Sequence, residues 1–327
     1  MRSIDALVGL LIRPNAVLLL IVVVFLLIRS LKLASGCGAV YAMLRVLYRA
    51  DFQYRCGGSS KWRSLHDYKV CKVVITGGSS GLGRSLVEEI LRGFPDVVVF
   101  NIDIKASPQP NDRLIDFRCD LRSSEMLEQT LKLIKQSGGN DIRLIVNNAG
   151  IRSRYEGLKD VRGQDLEDVF AVNSRAPLRV IQELTPEEGS EEQCFIVNVS
   201  SSLGILSAAK VGAYAASKAA LIAFHKSYAF ELESKRVSNI RTLLVVPGQL
   251  DTDMFSGFDP PRQFFAPVLS KERLAAKILQ HVDKGIRGDL TSPLYAKFAY
   301  LLMAMPYSVQ SIARRLSRID ECLPDDN

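Results

Sequence analysis

The chain has 327 residues, of which 47% are hydrophobic and 24% charged, a composition typical of a globular protein with additional apolar sequence. Its formal net charge of +7 comes from the N-terminal part, because residues 1–72 contain 11 Lys and Arg against 3 Asp and Glu, whereas residues 73–327 contain 31 against 32. This distribution favours a membrane surface with acidic lipids as a partner and argues against nucleic acid.

The first predicted element is a hydrophobic membrane segment, with residues 1–50 forming a membrane anchor and an interfacial helix. Residues 17–28 contain no polar side chain, but a full span needs roughly 20 apolar residues. Three interpretations therefore stay open: a signal anchor, a hairpin that dips into one leaflet and turns at Arg13-Pro14-Asn15, and a cleaved signal peptide. Anchoring through membrane lipid is the interpretation that we favour.

Basic residues set the expected orientation of this anchor. Four of them follow the apolar run within residues 29–49, against two before it, so the positive-inside tendency predicts that the large C-terminal part faces the cytosol. The endoplasmic reticulum or a lipid droplet is the expected location. Residues 40–49, VYAMLRVLYR, repeat apolar residues at helical spacing and are expected to lie along the membrane surface or to pack on the domain as a linker helix. Residues 51–68 are expected to form a linker.

From Lys69 the sequence alternates between short apolar runs and amphipathic segments. VCKVVITGG predicts a buried strand that ends in a turn, LGRSLVEEILRGFP predicts a helix, and DVVVFNID predicts a second strand. Strand, turn, helix and strand in this order form a βαβ unit. Repetition of the unit predicts an α/β fold, a Rossmann-like doubly wound parallel sheet in a single domain over residues 69–285.

The turn of the first βαβ unit is rich in glycine. It reads TGGSSGLG over residues 76–83, with glycines at 77, 81 and 83. Such glycines permit a tight turn, close approach of the backbone to a pyrophosphate and tight packing of the helix on the strand. The N-terminus of the following helix supplies free N–H groups for the phosphates. The sequence therefore predicts a dinucleotide site at this turn.

Asp103 ends the next predicted strand. A carboxylate there accepts hydrogen bonds from the adenosine ribose and repels a phosphate at its 2′ position, which favours NAD over NADP as the cofactor. Arg84 and Lys105 are close enough in sequence to keep NADP open.

Residues 213–221, AYAASKAAL, place Tyr214 and Lys218 four residues apart in a run that favours helix, so the two side chains share one helix face. An isolated pair of this kind is more often a surface lysine beside a half-buried tyrosine. Other catalytic chemistry has little support, since the three histidines lie in no recognisable motif and the six cysteines show no C-x-x-C spacing. Neither a metal site nor a disulfide framework is predicted.

The spacing T-G-x-x-x-G-x-G resembles that of the short-chain dehydrogenase/reductase family, and further motifs follow in the order of that family. They are CDL at 119–121, NNAG at 147–150, VFAVN at 169–173, IVNVSSSLG at 196–204, the Tyr214/Lys218 pair, and VVPGQLDTDMF at 245–255. The resemblance covers about residues 69–285. The finer layout is similar to the membrane-bound retinol and hydroxysteroid dehydrogenase branch.

The resemblance implies four catalytic residues. Tyr214 is the acid/base, Lys218 also binds the nicotinamide ribose, Ser201 orients the substrate oxygen, and Asn173 supports a water relay. Among three consecutive serines, the spacing of the family to its tyrosine and to Gly204 selects Ser201. A positive Lys218 and a positive nicotinamide are expected to lower the pKa of Tyr214 towards neutrality, since a tyrosine otherwise ionises near ~10.

The resemblance also implies the cofactor contacts. Asp120 hydrogen-bonds the adenine amino group, and Pro247, Gly248 and Thr252 hold the nicotinamide carboxamide. The full expected set is Thr76, Gly77, Ser79, Ser80, Gly81, Leu82, Gly83, Asp103, Asp120, Leu121, Asn148, Ala149, Gly150, Tyr214, Lys218, Pro247, Gly248 and Thr252.

Residues that follow Thr252 are apolar and aromatic, where short-chain dehydrogenases place a variable loop over the substrate. Met254 and Phe255 are therefore expected to contact the substrate together with Ser201 and Tyr214. A hydrophobic alcohol, ketone or aldehyde is the expected small-molecule partner.

The C-terminal residues 286–327 are expected to be an apolar extension of the domain. LYAKFAYLLMAMPY, at 294–307, dips into lipid, covers the substrate mouth or completes the core, and the sequence does not separate these possibilities.

Three functions remain open. They are an NAD-dependent dehydrogenase of retinoid, steroid or long-chain alcohols, an NADP-dependent reductase of lipid synthesis such as a ketosphinganine reductase, and a non-catalytic nucleotide-sensing or lipid-droplet protein. Asp103 argues against the second and the intact catalytic set against the third. A homo-oligomer is compatible with all three.

Overall fold

The computed structural model describes residues 3–5, 31–58, 61–255 and 266–324. Its centre is a sheet of seven strands: β1 Cys71–Thr76, β2 Val97–Asp103, β3 Leu114–Arg118, β4 Ile142–Asn147, β5 Cys194–Val199, β6 Ile240–Pro247 and β7 Gly288–Ser292. All neighbours pair in parallel in the order β3-β2-β1-β4-β5-β6-β7. This arrangement confirms the predicted doubly wound α/β fold. The strand order reverses between β1 and β4, where a crevice forms at the carboxyl ends of the strands.

Helices cover both faces of the sheet. They are α1 Leu31–Cys56, α2 Gly81–Gly93, α3 Ser124–Gln136, α4 Gly163–Phe170, α5 Ala176–Leu184, α6 Leu203–Leu206, α7 Gly212–Ser234, α8 Lys271–Asp283, α9 Leu294–Lys297, α10 Ala299–Met303 and α11 Tyr307–Ser317. A π-helical turn, Ala171–Arg175, joins α4 to α5.

The apolar runs of the central strands form two separate cores. Val73 and Ile75 of β1 point to the side of α2 and α8, whereas Val74 points to the side of α3 and α5. Because side chains alternate across a strand, a strand buried on both faces reads as a continuous apolar run. Burial on both faces explains why the sequence of β1 is apolar almost throughout. The strand ends where this apolar run gives way to the polar turn.

Within residues 51–68, expected to be a linker, Arg55, Trp62 and Leu65 make contacts with the domain. Arg55, in the last turn of α1, donates from Nε to the carbonyl oxygen of Arg287 at 2.5 Å. The indole of Trp62 donates to Val282 O at 3.0 Å, and Leu65 is buried in the core. The sheet likewise extends past residue 285 through β7, so the expected start of the C-terminal extension falls inside the folded domain.

Residues 40–49 are helical, as predicted, and lie within α1. Many apolar side chains of this stretch are exposed, including Val46 at 66% and Tyr48 at 69%. The apolar run 17–28 lies outside the described residues. Among the helices that the structure does describe, none combines the length and apolarity needed to cross a bilayer.

Candidate active site

A cavity of about 1650 Å³ opens at the carboxyl ends of the strands, around the reversal of strand order. Its walls include most of the residues that the sequence assigned to cofactor and substrate. From that set, Gly77, Ser79, Ser80, Gly81, Leu82, Asp103, Asp120, Leu121, Asn148, Ala149, Gly150, Ser201, Tyr214, Lys218, Pro247, Gly248, Thr252, Met254 and Phe255 line it. Thr76, Gly83 and Asn173 support the wall from behind.

The glycine turn has the shape that a dinucleotide requires. Gly77 has φ +71°, a conformation that residues with a Cβ rarely adopt. A Cβ at Gly83 would lie 2.0 Å from the carbonyl oxygen of Gly77, so α2 packs directly on the turn. Ser80 precedes α2 without capping it through its side chain, and the N–H groups of the first turn are therefore left for an anion.

Hydrogen bonds tie the glycine turn to the end of β4. Thr76 Oγ1 accepts from the backbone N–H groups of Asn148 and Ala149, each at 3.1 Å. Asn148 Nδ2 in turn donates to the carbonyl oxygens of Thr76 and Gly77, each at 3.1 Å. Thr76 therefore fixes the cavity wall rather than facing the cavity.

Asp103 lines the cavity, and both oxygens of its carboxylate accept hydrogen bonds from backbone N–H groups. Oδ2 accepts from Ser79 N at 3.0 Å and Oδ1 from Lys105 N at 3.2 Å. Arg84, one of the two residues that kept NADP open, forms an ion pair with Glu88 at 2.7 Å. Because Arg84 is paired with Glu88, it does not neutralise the carboxylate of Asp103. The backbone N–H groups of the turn set the orientation of that carboxylate.

Asp120 is bound more tightly than the sequence suggested. Its carboxylate forms an ion pair with Arg122 at 2.7 Å, and Arg122 also reaches Asp168 at 3.4 Å. The hydrogen bond from the Arg122 side chain lowers the pKa of Asp120. Any contact of Asp120 with an adenine amino group therefore has to be made alongside Arg122.

Tyr214 and Lys218 lie side by side on α7, which confirms their shared helix face. Both are buried, with 4% and 3% of their surface exposed, so the interpretation as a solvated surface pair is wrong. Lys218 Nζ donates to Val199 O at 2.9 Å and lies 5.9 Å from the centre of the Tyr214 ring. A Cβ on Gly150 would come within 3.3 Å of Lys218 Nζ, so the small residues of the NNAG motif make room for the ammonium group.

The three consecutive serines have different partners. Ser201 Oγ accepts from Leu203 N at 3.1 Å, and its side chain lies near enough to the Tyr214 hydroxyl to act against the rise in the pKa of that group. Ser200 Oγ donates to Lys218 O at 2.9 Å, and Ser202 Oγ lies 3.3 Å from the hydroxyl of Tyr295. The geometry therefore places at the tyrosine the same serine that the family spacing selected.

Asn173 occupies the π-helical turn and is 0% exposed. Its Nδ2 donates to Ile151 O at 2.8 Å and to Ser217 Oγ at 2.9 Å, while Oδ1 accepts from Ile151 N at 2.9 Å. The side chain thus joins the NNAG loop to α7. Single π-helical turns are frequent at functional sites, and this one turns the amide inward, where it positions its neighbours.

Burial has the strongest effect on ionisation in the site. It raises the pKa of Tyr214 to about 12, against the opposing effect of Ser201, because a phenolate loses its hydration. It lowers the pKa of Lys218 to about 8. Burial therefore opposes the lowering of the Tyr214 pKa that a protonated Lys218 and a positive nicotinamide are expected to produce.

Behind the substrate side of the cavity, Met254 and Phe255 are supported by residues that no sequence motif marked. Arg152 donates from Nε to Met254 O at 2.8 Å, and its guanidinium lies 3.8 Å from the centre of the Tyr155 ring. The rings of Phe255 and Tyr214 meet edge to face with their centres 5.5 Å apart. Arg152 thus holds the start of the loop that follows Thr252, so that Phe255 covers the tyrosine.

The C-terminal residues 294–323, hereafter the C-terminal cover, form another wall of the cavity. Tyr295, Phe298, Leu302 and Leu323 are among the lining residues. Of the three possibilities left open for residues 294–307, this arrangement supports a cover over the substrate mouth. The apolar composition was the available signal, but it carried no information on the position of any side chain.

The family model for short chain dehydrogenases matches residues 71–263. The chain is 50% identical over 293 residues to the uncharacterized oxidoreductase TDA5 of Saccharomyces cerevisiae, across 89% of this chain and 90% of that protein. It is 28% identical over 293 residues to retinol dehydrogenase 10-B of Xenopus laevis, across 78% of this chain and 84% of the relative.

The fold agrees with a solved structure as well. A short chain dehydrogenase from Burkholderia cenocepacia J2315 in complex with NADP has a TM-score of 0.62 and 22% identity, across 76% of this chain and 98% of that chain. At this identity the likeness concerns the fold alone. Together with the family match, the fold and the buried Tyr214/Lys218 pair confirm the resemblance: the chain belongs to the short chain dehydrogenase family of nicotinamide-dependent oxidoreductases.

Proposed function

We propose that this protein is a membrane-associated oxidoreductase that transfers a hydride between NAD(H) and a hydrophobic alcohol, ketone or aldehyde. One observation carries the proposal. A single cavity joins the glycine turn and the Tyr214/Lys218 pair to a region lined by Met254, Phe255 and the C-terminal cover. Cofactor and apolar substrate would therefore meet at Tyr214.

The residues present fit a dinucleotide. The bare backbone at Gly77 and the uncapped first turn of α2 suit the pyrophosphate, Asp103 suits the adenosine ribose, and Lys218 suits the nicotinamide ribose. When bound, the nicotinamide supplies the two-electron chemistry, by accepting or donating hydride at its ring.

The chain's own residues supply the proton chemistry. Tyr214 gives a proton to the substrate oxygen or takes one from it at its phenolic oxygen, and Ser201 holds that oxygen through its neighbouring hydroxyl. Lys218 favours the ionised phenol when it is itself protonated, and its bond to Val199 O fixes its position. Phe255 covers the Tyr214 ring and excludes water from that side.

Asp103 favours NAD over NADP. Its carboxylate is fixed by two backbone N–H groups, and a fixed negative charge would repel a 2′-phosphate. We therefore expect tighter binding of NAD in a titration with both dinucleotides. In the Asp103→Ser protein NAD should weaken and NADP improve, and an unchanged ratio of the two affinities would overturn the assignment.

The class of substrate follows from the apolar lining. Met254, Phe255 and Leu302 offer few hydrogen-bonding groups away from Tyr214, which suits a long apolar body with one reacting oxygen. The relative named retinol dehydrogenase 10-B adds support for a retinoid-like substrate. A screen of retinol, steroid and long-chain secondary alcohols with NAD tests the class, and turnover confined to small polar alcohols would contradict it.

Membrane association rests on the sequence of residues 1–50, with its apolar run and basic flank. The domain is proposed to face the cytosol, at the endoplasmic reticulum or a lipid droplet. The full-length chain should then require detergent for extraction. Protease added to sealed vesicles should digest the large domain, and protection of that domain would contradict the orientation.

A further inference from the structure

Helix α11 presents an apolar face to the outside of the molecule. Val309, Ile312 and Leu316 recur at spacings of three and four residues and so share one face, and they are 41%, 58% and 65% exposed. The polar residues Gln310 and Arg314 are less exposed and line the cavity. A surface helix of a globular protein normally turns its apolar stripe inward, whereas the apolar stripe of α11 points outward.

Further apolar side chains are exposed on α10 and on the turn that joins it to α11. Exposed fractions there are 55% for Phe298, 57% for Leu301, 44% for Met303, 42% for Met305 and 84% for Tyr307. A concentration of exposed apolar side chains in one part of a protein is typical of sites of contact with a membrane or another protein. Phe298, Met303 and Leu316 also line the cavity, so the exposed surface borders the substrate region.

The charges around this surface select a bilayer with acidic lipids. The C-terminal cover contains four basic residues, Lys297, Arg314, Arg315 and Arg318, against two acidic ones, Asp320 and Glu321. The two acidic residues form ion pairs with Arg314 and Arg318, while Lys297 and Arg315 lie outside these pairs. A two-fold contact with a second copy would place basic groups against basic groups, whereas acidic headgroups would complement them.

The path of the chain points to the same occupant. Asp5 accepts from the backbone N–H of Leu294 at 2.9 Å, and Ile4 lines the cavity. The chain therefore leaves the C-terminal cover and enters residues 6–30, whose sequence includes the apolar run 17–28. The residue after which the proposed membrane segment continues in sequence is thus hydrogen-bonded to the C-terminal cover.

We propose that the exposed side of the C-terminal cover, made of Phe298, Leu301, Val309, Ile312 and Leu316, rests on a bilayer that contains acidic lipids. Apolar substrate then passes from the bilayer into the cavity between α10 and α11 without crossing water. This inference rests on the membrane association in the proposed function, but it assigns a second contact in a region remote in sequence from the N-terminal segment.

The test uses the full-length chain with a photoreactive benzoylphenylalanine at Ile312. The matched control carries the same group at Leu133, which is 53% exposed on α3, in the nucleotide-binding half. Both proteins are mixed with phosphatidylcholine vesicles, with and without phosphatidylserine, and irradiated, and their lipid adducts are measured by mass spectrometry. NAD binding by each variant confirms that it is folded.

We expect a several-fold higher yield of lipid adducts at Ile312 than at Leu133, and a further increase with phosphatidylserine. Equal yields at the two positions, or adducts of Ile312 only to a second copy of the chain, would overturn the proposal. Sedimentation of the unmodified protein with the vesicles, and its turnover, are measured in parallel. If both persist while the Ile312 adducts fail, only the contact of the cover is wrong; if sedimentation fails, membrane association is wrong as well.

Discussion

Two regions of the molecule differ in how their side chains are held. One is the nucleotide-binding half, meaning the sheet with the glycine turn, the NNAG motif and the Tyr214/Lys218 pair, and the other is the C-terminal cover. Around the glycine turn and Tyr214, polar groups such as Thr76, Asn148 and Lys218 are tied to backbone by hydrogen bonds of about 3 Å and are largely buried. In the cover, apolar side chains such as Tyr307 and Leu316 remain 84% and 65% exposed. The proposed function gives this difference a physical reason: proton and hydride transfer need groups of fixed position, whereas entry of an apolar substrate from a bilayer would need an apolar outer surface.

The largest expected effect concerns Tyr214, in the nucleotide-binding half. Tyr214→Phe removes one oxygen and keeps the ring that packs on Phe255, so the fold and NAD binding should persist. Because general acid/base help is typically ~10²–10⁴-fold, turnover of the best alcohol substrate should fall by at least about a hundred-fold. Steady-state kinetics check this loss, and a variant that keeps more than about a tenth of the rate would refute the role.

The neighbouring serines supply the control for that experiment. Ser201→Ala should lower turnover steeply, because Ser201 is the serine whose side chain lies near the Tyr214 hydroxyl. Ser200→Ala should have a much smaller effect, since Ser200 bonds the backbone of Lys218. Equal losses in the two variants would mean that the serines act through the loop rather than at the substrate.

A smaller effect is expected on stability in acid, through the buried polar chain behind the nucleotide-binding half. Asn147 donates to Asn198 at 2.8 Å, and Asn198 Nδ2 then donates to Nδ1 of His225 at 3.0 Å, which requires a neutral imidazole. Burial lowers the pKa of His225 from 6.5 to about 4. The unfolded chain therefore binds the proton first, and stability that is present above pH 6.5 is lost as the pH falls to about 4, by about 3 kcal/mol.

Urea unfolding across this pH range, for the wild type and for His225→Phe, isolates the histidine from other titrating groups. The variant will be less stable at neutral pH because Asn198 loses its acceptor, but its stability should depend less steeply on pH. Parallel curves for the two proteins would show that His225 does not titrate in this way.

A substitution in the glycine turn tests how closely the nucleotide-binding half is packed. In Gly83→Ala, the new Cβ would meet Gly77 O at 2.0 Å and Asn148 Nδ2 at 2.5 Å, so the turn must shift. We expect NAD affinity to fall at least about ten-fold, the equivalent of about 1.4 kcal/mol. Gly93→Ala, on the same helix with nothing within 4 Å of the new Cβ, should leave the affinity unchanged in calorimetric titration; a loss in both variants would point to the helix instead.

The smallest effect is expected where the two regions meet. Tyr295 of the cover bonds Ser202 at 3.3 Å, and Tyr295→Phe removes this neutral hydrogen bond. Since such a bond contributes about 0.5–1.5 kcal/mol to stability, the free energy of unfolding in urea should fall by about that amount while kcat and NAD affinity hold. Tyr300→Phe, at an exposed position of the same cover, should change none of the three, and a fall in kcat for Tyr295→Phe would mean that Tyr295 acts in the chemistry.

Local sequence predicted the glycine turn and the shared face of Tyr214 and Lys218 well, because both depend on neighbours along the chain. It did not show that Arg122 holds the carboxylate of Asp120 or that burial raises the pKa of Tyr214 to about 12. Arg152 and Tyr295 escaped notice because their partners, Met254 and Ser202, are 102 and 93 residues away in sequence. No pattern of spacing encodes such contacts.

The sequence by itself predicted the α/β fold, since apolar periodicity and turn chemistry act over a few residues. The order of its motifs identified the family and, by resemblance, the side chains proposed to react. Only the tertiary structure decided that Asn173 supports the NNAG loop, that the C-terminal residues roof the cavity, and that α11 turns its apolar face outward. Amino-acid composition gives the apolar fraction of a helix but not the direction in which its apolar face points. Which face meets the core depends on the packing of elements that are distant in the chain, and burial then sets the ionisation of the groups enclosed.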